Sequence, residues 1–171
     1  MELYAKKEEC CGCGACADLC PAEAISMVRD TEGFFYPRID SQACMDCGQC
    51  EKVFRVKNHG AECRERLYFG VQARDQYVRE ASSSGGMFPV LAADILRRNG
   101  VVYGATWNER MEVVHREVRD MEELETVKKT KYVQSDLSGI YRRIREALKK
   151  DRWVLFCGTP CQAQALRLFL R

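Results

Sequence analysis

The chain has 171 residues, of which 46% are hydrophobic, and a formal net charge of +2 at pH 7. This composition is typical of a globular protein with one domain or two small ones, and it argues against a long disordered linker. No basic patch interleaved with aromatic residues is visible, so nucleic-acid binding is not expected.

The sequence also predicts a cytoplasmic protein without a membrane span. The longest apolar run, residues 87–96, is interrupted by Asp94 and is shorter than the ~18 residues that a bilayer requires. The first nine residues lack the apolar core of a secretory signal.

The first element in chain order is a cysteine motif. Cys10, Cys13, Cys16 and Cys20 are followed by Pro21, which is the C-x2-C-x2-C-x3-C-P spacing of proteins that hold two iron–sulfur clusters. In that arrangement the fourth cysteine ligates the other cluster. A second triplet repeats the spacing at Cys44, Cys47 and Cys50. We therefore predict that cluster one is held by Cys10, Cys13 and Cys16, and cluster two by Cys20, Cys44, Cys47 and Cys50.

Cluster one lacks its expected fourth thiolate, because Phe54 and Arg55 stand where the repeat would place a cysteine and a proline. Three alternatives follow: a three-iron cluster, a four-iron cluster completed by Cys63 or Cys11, or an iron open to solvent or another small ligand. Cys63 is the preferred substitute. A zinc ribbon also uses C-x2-C pairs, but two triplets exceed the four ligands that one zinc needs. Disulfides are disfavoured because nothing indicates an oxidising compartment.

The predicted ferredoxin-type domain spans residues 1–60. Residues 25–28 and 34–39 are predicted to form a hairpin, and the unit is expected to end near Asn58. His59 is interpreted as a loop cap.

The second predicted domain spans residues 65–171. Residues 67–73 and 101–105 are predicted strands, which flank a helix from Met87 with Leu91, Ile95 and Leu96 on its apolar face. The preceding loop, residues 82–88, has three serines and two glycines at a helix start, a combination that can cradle a phosphate. An ordinary serine cap is the equally supported alternative.

Residues 111–118 are predicted to form an exposed strand that carries His115, which is interpreted as structural although its pKa range would suit a proton shuttle. A charged helix at 121–129 and an extended segment at 131–135 follow. The next helix is predicted to be capped by Asp136 or Ser135. Its buried stripe is formed by Leu137, Ile140, Tyr141, Ile144 and Leu148.

A short buried strand is predicted at residues 153–156, followed by a turn into the last helix with Pro160 in its first turn. Cys161 then lies at a helix N-terminus, where thiol pKa values are depressed. Cys157 and Cys161 could bind a further cluster or act as redox thiols, or they could simply be two buried cysteines. The helix runs to the last residue without a visible cap, so we expect the fold to continue beyond this chain.

Three segments, residues 82–88, 131–135 and 155–162, lie in this order behind the cysteine motif. Together they resemble the family of coenzyme F-420 hydrogenase/dehydrogenase beta subunits. The resemblance runs from Cys10 to the last residue. Members of that family are longer, so the C-terminal part of a catalytic domain would be missing here.

The resemblance implies an α+β iron–sulfur flavoprotein oxidoreductase: a dicluster ferredoxin-like domain followed by an incomplete α/β flavin-binding domain. Electrons would pass between two 4Fe–4S clusters and FAD, with hydride exchange to coenzyme F-420 or another organic acceptor. Cys161 would be catalytic and face the redox centre. The residues implied to bind FAD are Ser83, Ser84, Gly85, Gly86, Lys131, Tyr132, Gln134, Ser135 and Thr159.

An alternative function is a non-enzymatic ferredoxin-like subunit that docks on a partner oxidoreductase. In either case a redox partner protein or subunit is expected. Cluster potentials depend on environment, so the direction of electron flow does not follow from the motif.

Overall fold

The computed structural model describes residues 3–54 and 67–171. The helices are α1 (Ala15–Leu19), α2 (Gln49–Lys52), α3 (Gln76–Glu80), α4 (Met87–Arg97), α5 (Met121–Val127), α6 (Ile140–Lys149) and α7 (Pro160–Phe169). The strands are β1 (Ile25–Arg29), β2 (Phe35–Ile39), β3 (Val101–Trp107), β4 (Val113–Val118) and β5 (Val154–Phe156). The prediction of a mixed helix-and-sheet protein is confirmed, whereas a flavin-binding domain stays a prediction.

The chain divides into two compact units. The first contains Met1–Gly60, Asp136–Arg145 and Thr159–Arg171, and the second contains Ala61–Ser135 and Glu146–Gly158. Two C-terminal segments therefore belong to the same unit as the cysteine motifs. The domains predicted from sequence, 1–60 and 65–171, are continuous ranges and do not include this grouping.

In the first unit, the predicted hairpin is confirmed. Strands β1 and β2 pair antiparallel, with Ile25 opposite Ile39. The Asp30 carboxylate accepts hydrogen bonds from the backbone N–H groups of Glu32 and Phe34 at 3.0 and 2.9 Å. These bonds close the turn because an aspartate side chain can satisfy donors that face no strand partner.

Each cysteine triplet winds into a short helix after its central cysteine. Gly14 precedes α1 with φ of 78°, and Gly48 precedes α2 with φ of 66°. Left-handed backbone favours glycine because it has no Cβ atom. The repeated glycine therefore lets both triplets turn in the same way.

The predicted cap of α6 is wrong. Asp136 closes only a local turn, where its carboxylate accepts from the backbone N–H of Ser138 at 2.8 Å. The Asp18 carboxylate instead accepts from the backbone N–H groups of Gly139 and Tyr141, at 2.8 and 3.0 Å. Leu148, a predicted member of the buried stripe, is 41% exposed.

The second unit contains a three-stranded sheet with the order β4-β3-β5. Strand β3 pairs antiparallel with β4 and parallel with β5. Its core consists of Ala92, Val102, Val118, Leu124 and Val127, with Phe88, Ile95, Leu96 and Leu155 packed against them. Helices α4 and α5 thus bury their apolar faces on this sheet.

Predictions for residues 67–73, Leu91 and strand β4 of the second unit are wrong. Residues 67–73 form no strand in the described structure, and Tyr68 is 85% exposed, because no neighbouring strand pairs with this segment. Leu91 is half exposed, since Phe88 and Ala92 provide the inward face of α4. Strand β4 is not an exposed strand: Val118 packs with residues of α5 in the core.

Strand β5 is only half-buried rather than buried, and Trp153 lies before it with 58% exposure. Its position at the edge of the sheet explains this difference. None of the described helices combines the length and apolar character that a membrane span requires.

Candidate functional site

The first candidate site is a cavity in the first unit that contains the first cysteine triplet. Cys10, Cys13 and Cys16 line it, together with two further cysteines, Cys11 and Cys161. Its other walls include Met27, Pro37, Val53, Phe54 and Ala165. Phe54 is buried and occupies the wall where the repeated motif would have placed a thiol.

The second candidate site is a separate cavity in the same unit. Cys20, Cys44, Cys47 and Cys50 all line it, with Pro21, Ala24, Ile25, Ile39 and Met45 among the other walls. Cys20 thus lies with the second triplet rather than with the first, which is the grouping that crossed ligation requires. The backbone N–H of Ala24 also donates to the Cys20 sulfur at 3.3 Å.

The donor chemistry of both cavities fits iron–sulfur clusters. Cluster thiolates bind separate irons, so they surround a cavity instead of converging on a point. In the part of the chain that the structure describes, no three Cys, His, Asp or Glu side chains converge closely enough to hold a single metal ion. Both cavities also have apolar side chains in their walls, and water access together with hydrogen bonds to sulfur sets cluster potentials.

The two cavities differ in how their thiols are buried. Cys16 is buried in the first cavity, and burial raises the pKa of its thiol to about 12. Burial also raises the pKa of Cys10, whereas a hydrogen bond from Cys11 lowers the pKa of Cys13. In the second cavity Cys47 is exposed. Burial raises the pKa of Cys50 in the second cavity as well. Ligation in both cavities therefore has to drive deprotonation of buried thiols, as metal binding to cysteine does generally.

A tyrosine and an arginine hold the first motif from outside its own sequence. The Tyr141 hydroxyl donates to the backbone carbonyl of Cys13 at 3.0 Å. The Arg142 guanidinium donates to the backbone carbonyls of Ala17, Asp18 and Cys20. These carbonyls lie at the C-terminal end of α1, where a cation is favourable. Sequence reasoning placed Tyr141 only in a buried helix stripe and did not single out Asp18 or Arg142, since no local pattern pairs them.

The second unit contains eight of the nine residues predicted to bind FAD. The backbone N–H of Thr130, the residue before the segment 131–135, donates to the Ser83 hydroxyl of the serine–glycine loop at 2.7 Å. Gly86 has φ of 77° and precedes α4. Tyr132 is 92% exposed, whereas Ser135 is buried.

Lys131 is partly buried, and burial lowers the pKa of its amine while the nearby Cys157 acts in the opposite direction. Its amine donates to the backbone carbonyl of Lys128 at 2.6 Å. Ser84, Gly85 and Gln134 belong to the same two segments. Thr159 belongs to the first unit, where it forms a capping box with Gln162 at the start of α7.

His115 is buried in the second unit. Its Nε2 atom lies 3.0 Å from the backbone carbonyl oxygen of Cys157, and its ring stacks on Phe156 with centroids 5.4 Å apart. These contacts agree with the structural interpretation of His115. Cys157 is exposed. Desolvation of its sulfur raises the pKa of the thiol, and the nearby Lys131 charge lowers it by a smaller amount. Cys63 and His59 lie outside the described residues.

Comparisons with known proteins add to this geometry. A family model described as a 4Fe-4S dicluster domain matches residues 9–53. Residues 9–53 are therefore similar to 4Fe–4S dicluster domains. This match agrees with the two cysteine-lined cavities, both of which draw their motif cysteines from this range.

Two curated relatives are similar to the chain. It is 26% identical to a subunit of the F(420)H(2) dehydrogenase of Methanosarcina mazei, with 93% of this chain and 48% of the relative covered. It is also 34% identical to an uncharacterized ferredoxin of Methanocaldococcus jannaschii, with 29% of this chain and 64% of the relative covered. The chain thus spans about half the length of the dehydrogenase subunit.

Proposed function

We propose that this chain is part of an iron–sulfur flavoprotein oxidoreductase. It would relay electrons between two 4Fe–4S clusters and FAD, with hydride exchange to coenzyme F-420 or another organic acceptor. The observation that carries the electron-transfer part is the pair of cysteine-lined cavities within one compact unit. The similarity to a named dehydrogenase subunit supports the redox role.

In this proposal the chain provides two sets of cysteine ligands. Cys10, Cys13 and Cys16 would hold cluster one, and the remaining motif cysteines, Cys20, Cys44, Cys47 and Cys50, would hold cluster two. When bound, the clusters would supply one-electron transfer. Tyr141 and Arg142 would position the backbone of the first motif through the carbonyls that they contact.

The flavin part of the proposal is supported by the bond between Thr130 and Ser83. Ser83 belongs to one of the segments that the family resemblance assigns to FAD, and Thr130 directly precedes the other. The loop also presents the start of α4, an 11-residue helix whose free N–H groups can bind a phosphate. Lys131 adds a cation to the same region of the second unit.

A second candidate function is an electron-transfer subunit that binds no flavin and docks on a partner oxidoreductase. It is favoured by the exposed side chains of Leu67, Tyr68 and Phe69, which are 82%, 85% and 78% accessible. Exposed apolar clusters of this kind mark interaction surfaces in many proteins. The match to a protein named as a subunit supports the same candidate.

Anaerobic analysis of iron, sulfide, zinc and flavin on one sample separates these functions. Two four-iron clusters with stoichiometric FAD would support the flavoprotein. Clusters without FAD, in this chain and in a version extended to the relative's length, would contradict the flavin part and favour the electron-transfer subunit. Zinc without sulfide would contradict both and indicate a zinc-stabilised module.

A further inference from the structure

The first cavity contains three motif thiols, and its fourth motif position is filled by a phenylalanine. Phe54 is 8% exposed and stacks on Tyr4 with centroids 6.5 Å apart. Its ring packs as a core residue and offers no donor to iron. A fourth thiolate for a four-iron cluster in this cavity therefore has to come from another part of the chain.

Helix α7 brings a thiol to this cavity. Cys161 and Ala165 both line the cavity, and residues four apart lie on the same face of a helix. Ala165 is 2% exposed, and its small side chain allows the helix to lie close to the cysteine loop. The face of α7 that carries Cys161 is thus turned toward the first triplet.

The start of α7 is held in one conformation. The backbone N–H of Thr159 donates to the Gln162 side chain at 2.8 Å, and the Thr159 hydroxyl lies 3.0 Å from the Cys161 sulfur. Pro160 occupies the first helical position, where its fixed φ suits a helix start. Cys161 is therefore presented by a rigid first turn, as a metal ligand requires.

Cys11 also lines the cavity, but its position is less suitable. It is exposed, whereas Cys161 is partly buried. The Cys11 thiol is hydrogen-bonded to the Cys13 sulfur, so Cys11 is the competing ligand, and its exposure to solvent makes it the less favourable of the two thiols.

We propose that Cys161 supplies the fourth thiolate of cluster one, in place of the position occupied by Phe54. The inference rests on the proposed cluster-binding function and not on the flavin. On ligation the Cys161 S–H bond breaks, the proton passes to solvent, and the sulfur donates an electron pair to iron. No oxidation or reduction accompanies the step.

The test compares Cys161→Ala with Cys11→Ala in the full chain, after anaerobic reconstitution. We expect Cys161→Ala to lose one iron per chain and to show the electron paramagnetic resonance signal of an oxidised three-iron cluster. The matched variant Cys11→Ala should keep the iron content and the spectrum of the parent protein. An unchanged Cys161→Ala spectrum, or loss of iron in Cys11→Ala or Cys63→Ala instead, would overturn the proposal.

The signal of cluster two provides an internal reference for folding, since its predicted ligands do not include Cys161. Introducing Phe54→Cys into the Cys161→Ala variant should restore the lost iron, because it recreates the thiol of the repeated motif. A merely structural role of Cys161 would not predict this rescue.

Labelling of the cysteines in the unmodified protein tests the proposal without any substitution. We expect iodoacetamide to label Cys11 and Cys157 in the cluster-loaded protein, while Cys161 is protected as fully as Cys13 and becomes labelled after iron removal. Labelling of Cys161 in the loaded protein would overturn the proposal. Absence of iron and sulfide from the parent protein would instead contradict the proposed function.

Discussion

The Asp18 carboxylate accepts a hydrogen bond from the backbone N–H of Tyr141, 123 residues further along the chain, at 3.0 Å. Asp18 lies inside the first cysteine motif, between Cys16 and Cys20, and Tyr141 lies in the first turn of α6. The first motif therefore depends on a segment from the far end of the sequence. This dependence distinguishes it from an independent ferredoxin unit.

The first prediction concerns this cap. Asp18→Asn replaces one acceptor oxygen with an NH2 group, which faces a backbone N–H in a buried site. We expect the free energy of unfolding to fall by about 1–3 kcal/mol, because a buried donor is left without its acceptor. Anaerobic denaturant unfolding followed by circular dichroism measures this loss.

Glu23→Gln is the matched control for Asp18→Asn. Glu23 also contacts α6, through an ion pair with Arg142 at 3.1 Å, but its side chain is 78% exposed. Exposed ion pairs contribute little, so the control should stay within about 0.5 kcal/mol of the parent protein. Equal losses in the two variants would contradict the assigned role of Asp18.

The second prediction separates the two clusters by their ligands. Cys20→Ala should alter the same electron paramagnetic resonance signal as Cys47→Ala, because both cysteines line the second cavity. Cys13→Ala should alter the other signal. If Cys20→Ala and Cys13→Ala change one common signal while Cys47→Ala changes another, ligation is not crossed.

The third prediction concerns Gly85. A Cβ atom at this position would lie 2.8 Å from the backbone oxygen of Val71, so Gly85→Ala forces the backbone to shift. We expect a loss of about 1–3 kcal/mol in flavin-free protein, as overpacking usually causes. Gly70→Ala is the control, because nothing lies within 4 Å of its Cβ position. Comparable melting temperatures for the two variants would show that the loop tolerates the extra atom.

The fourth prediction tests the flavin segment without disturbing the fold. Tyr132 is 92% exposed, so Tyr132→Ala should leave the melting temperature of flavin-free protein unchanged. If the segment 131–135 lines the flavin, the same variant should bind FAD about tenfold more weakly, a loss of about 1.4 kcal/mol.

Tyr77→Ala is the matched control for Tyr132→Ala. Tyr77 is 84% exposed in the same unit and lies outside the predicted flavin segments. Fluorescence titration with FAD measures both variants. Equal affinities for Tyr132→Ala and the parent protein would remove Tyr132 from the proposed site.

Local patterns in the sequence are sufficient to predict much of the first unit. The hairpin at Asp30 and the two glycine turns before α1 and α2 follow from residues that act on their immediate neighbours. The spacing of the cysteines likewise predicts the grouping of Cys20 with the second triplet. The role of Cys20 as a cluster ligand stays a prediction.

Other features depend on long-range contacts and cannot be read from sequence. Local reasoning assigns the cap of α6 to neighbouring Asp136, because no local signal indicates that Asp18 takes that role. Residues 67–73 have the composition of a strand, but a strand also requires a pairing partner, which sequence composition does not supply. The burial of strand β4 depends on α5 packing against it, and alternation alone does not reveal this.

The position of Cys161 has a consequence for the order of biosynthesis. All four cysteines of the second cavity lie within the first 50 residues, whereas the first cavity is closed by Cys161 and Ala165. At about 5–20 residues per second, the roughly 110 residues between Cys50 and Cys161 take about 5–20 s to synthesise. Cluster two could therefore be inserted into the nascent chain while the walls of the first cavity are still being translated.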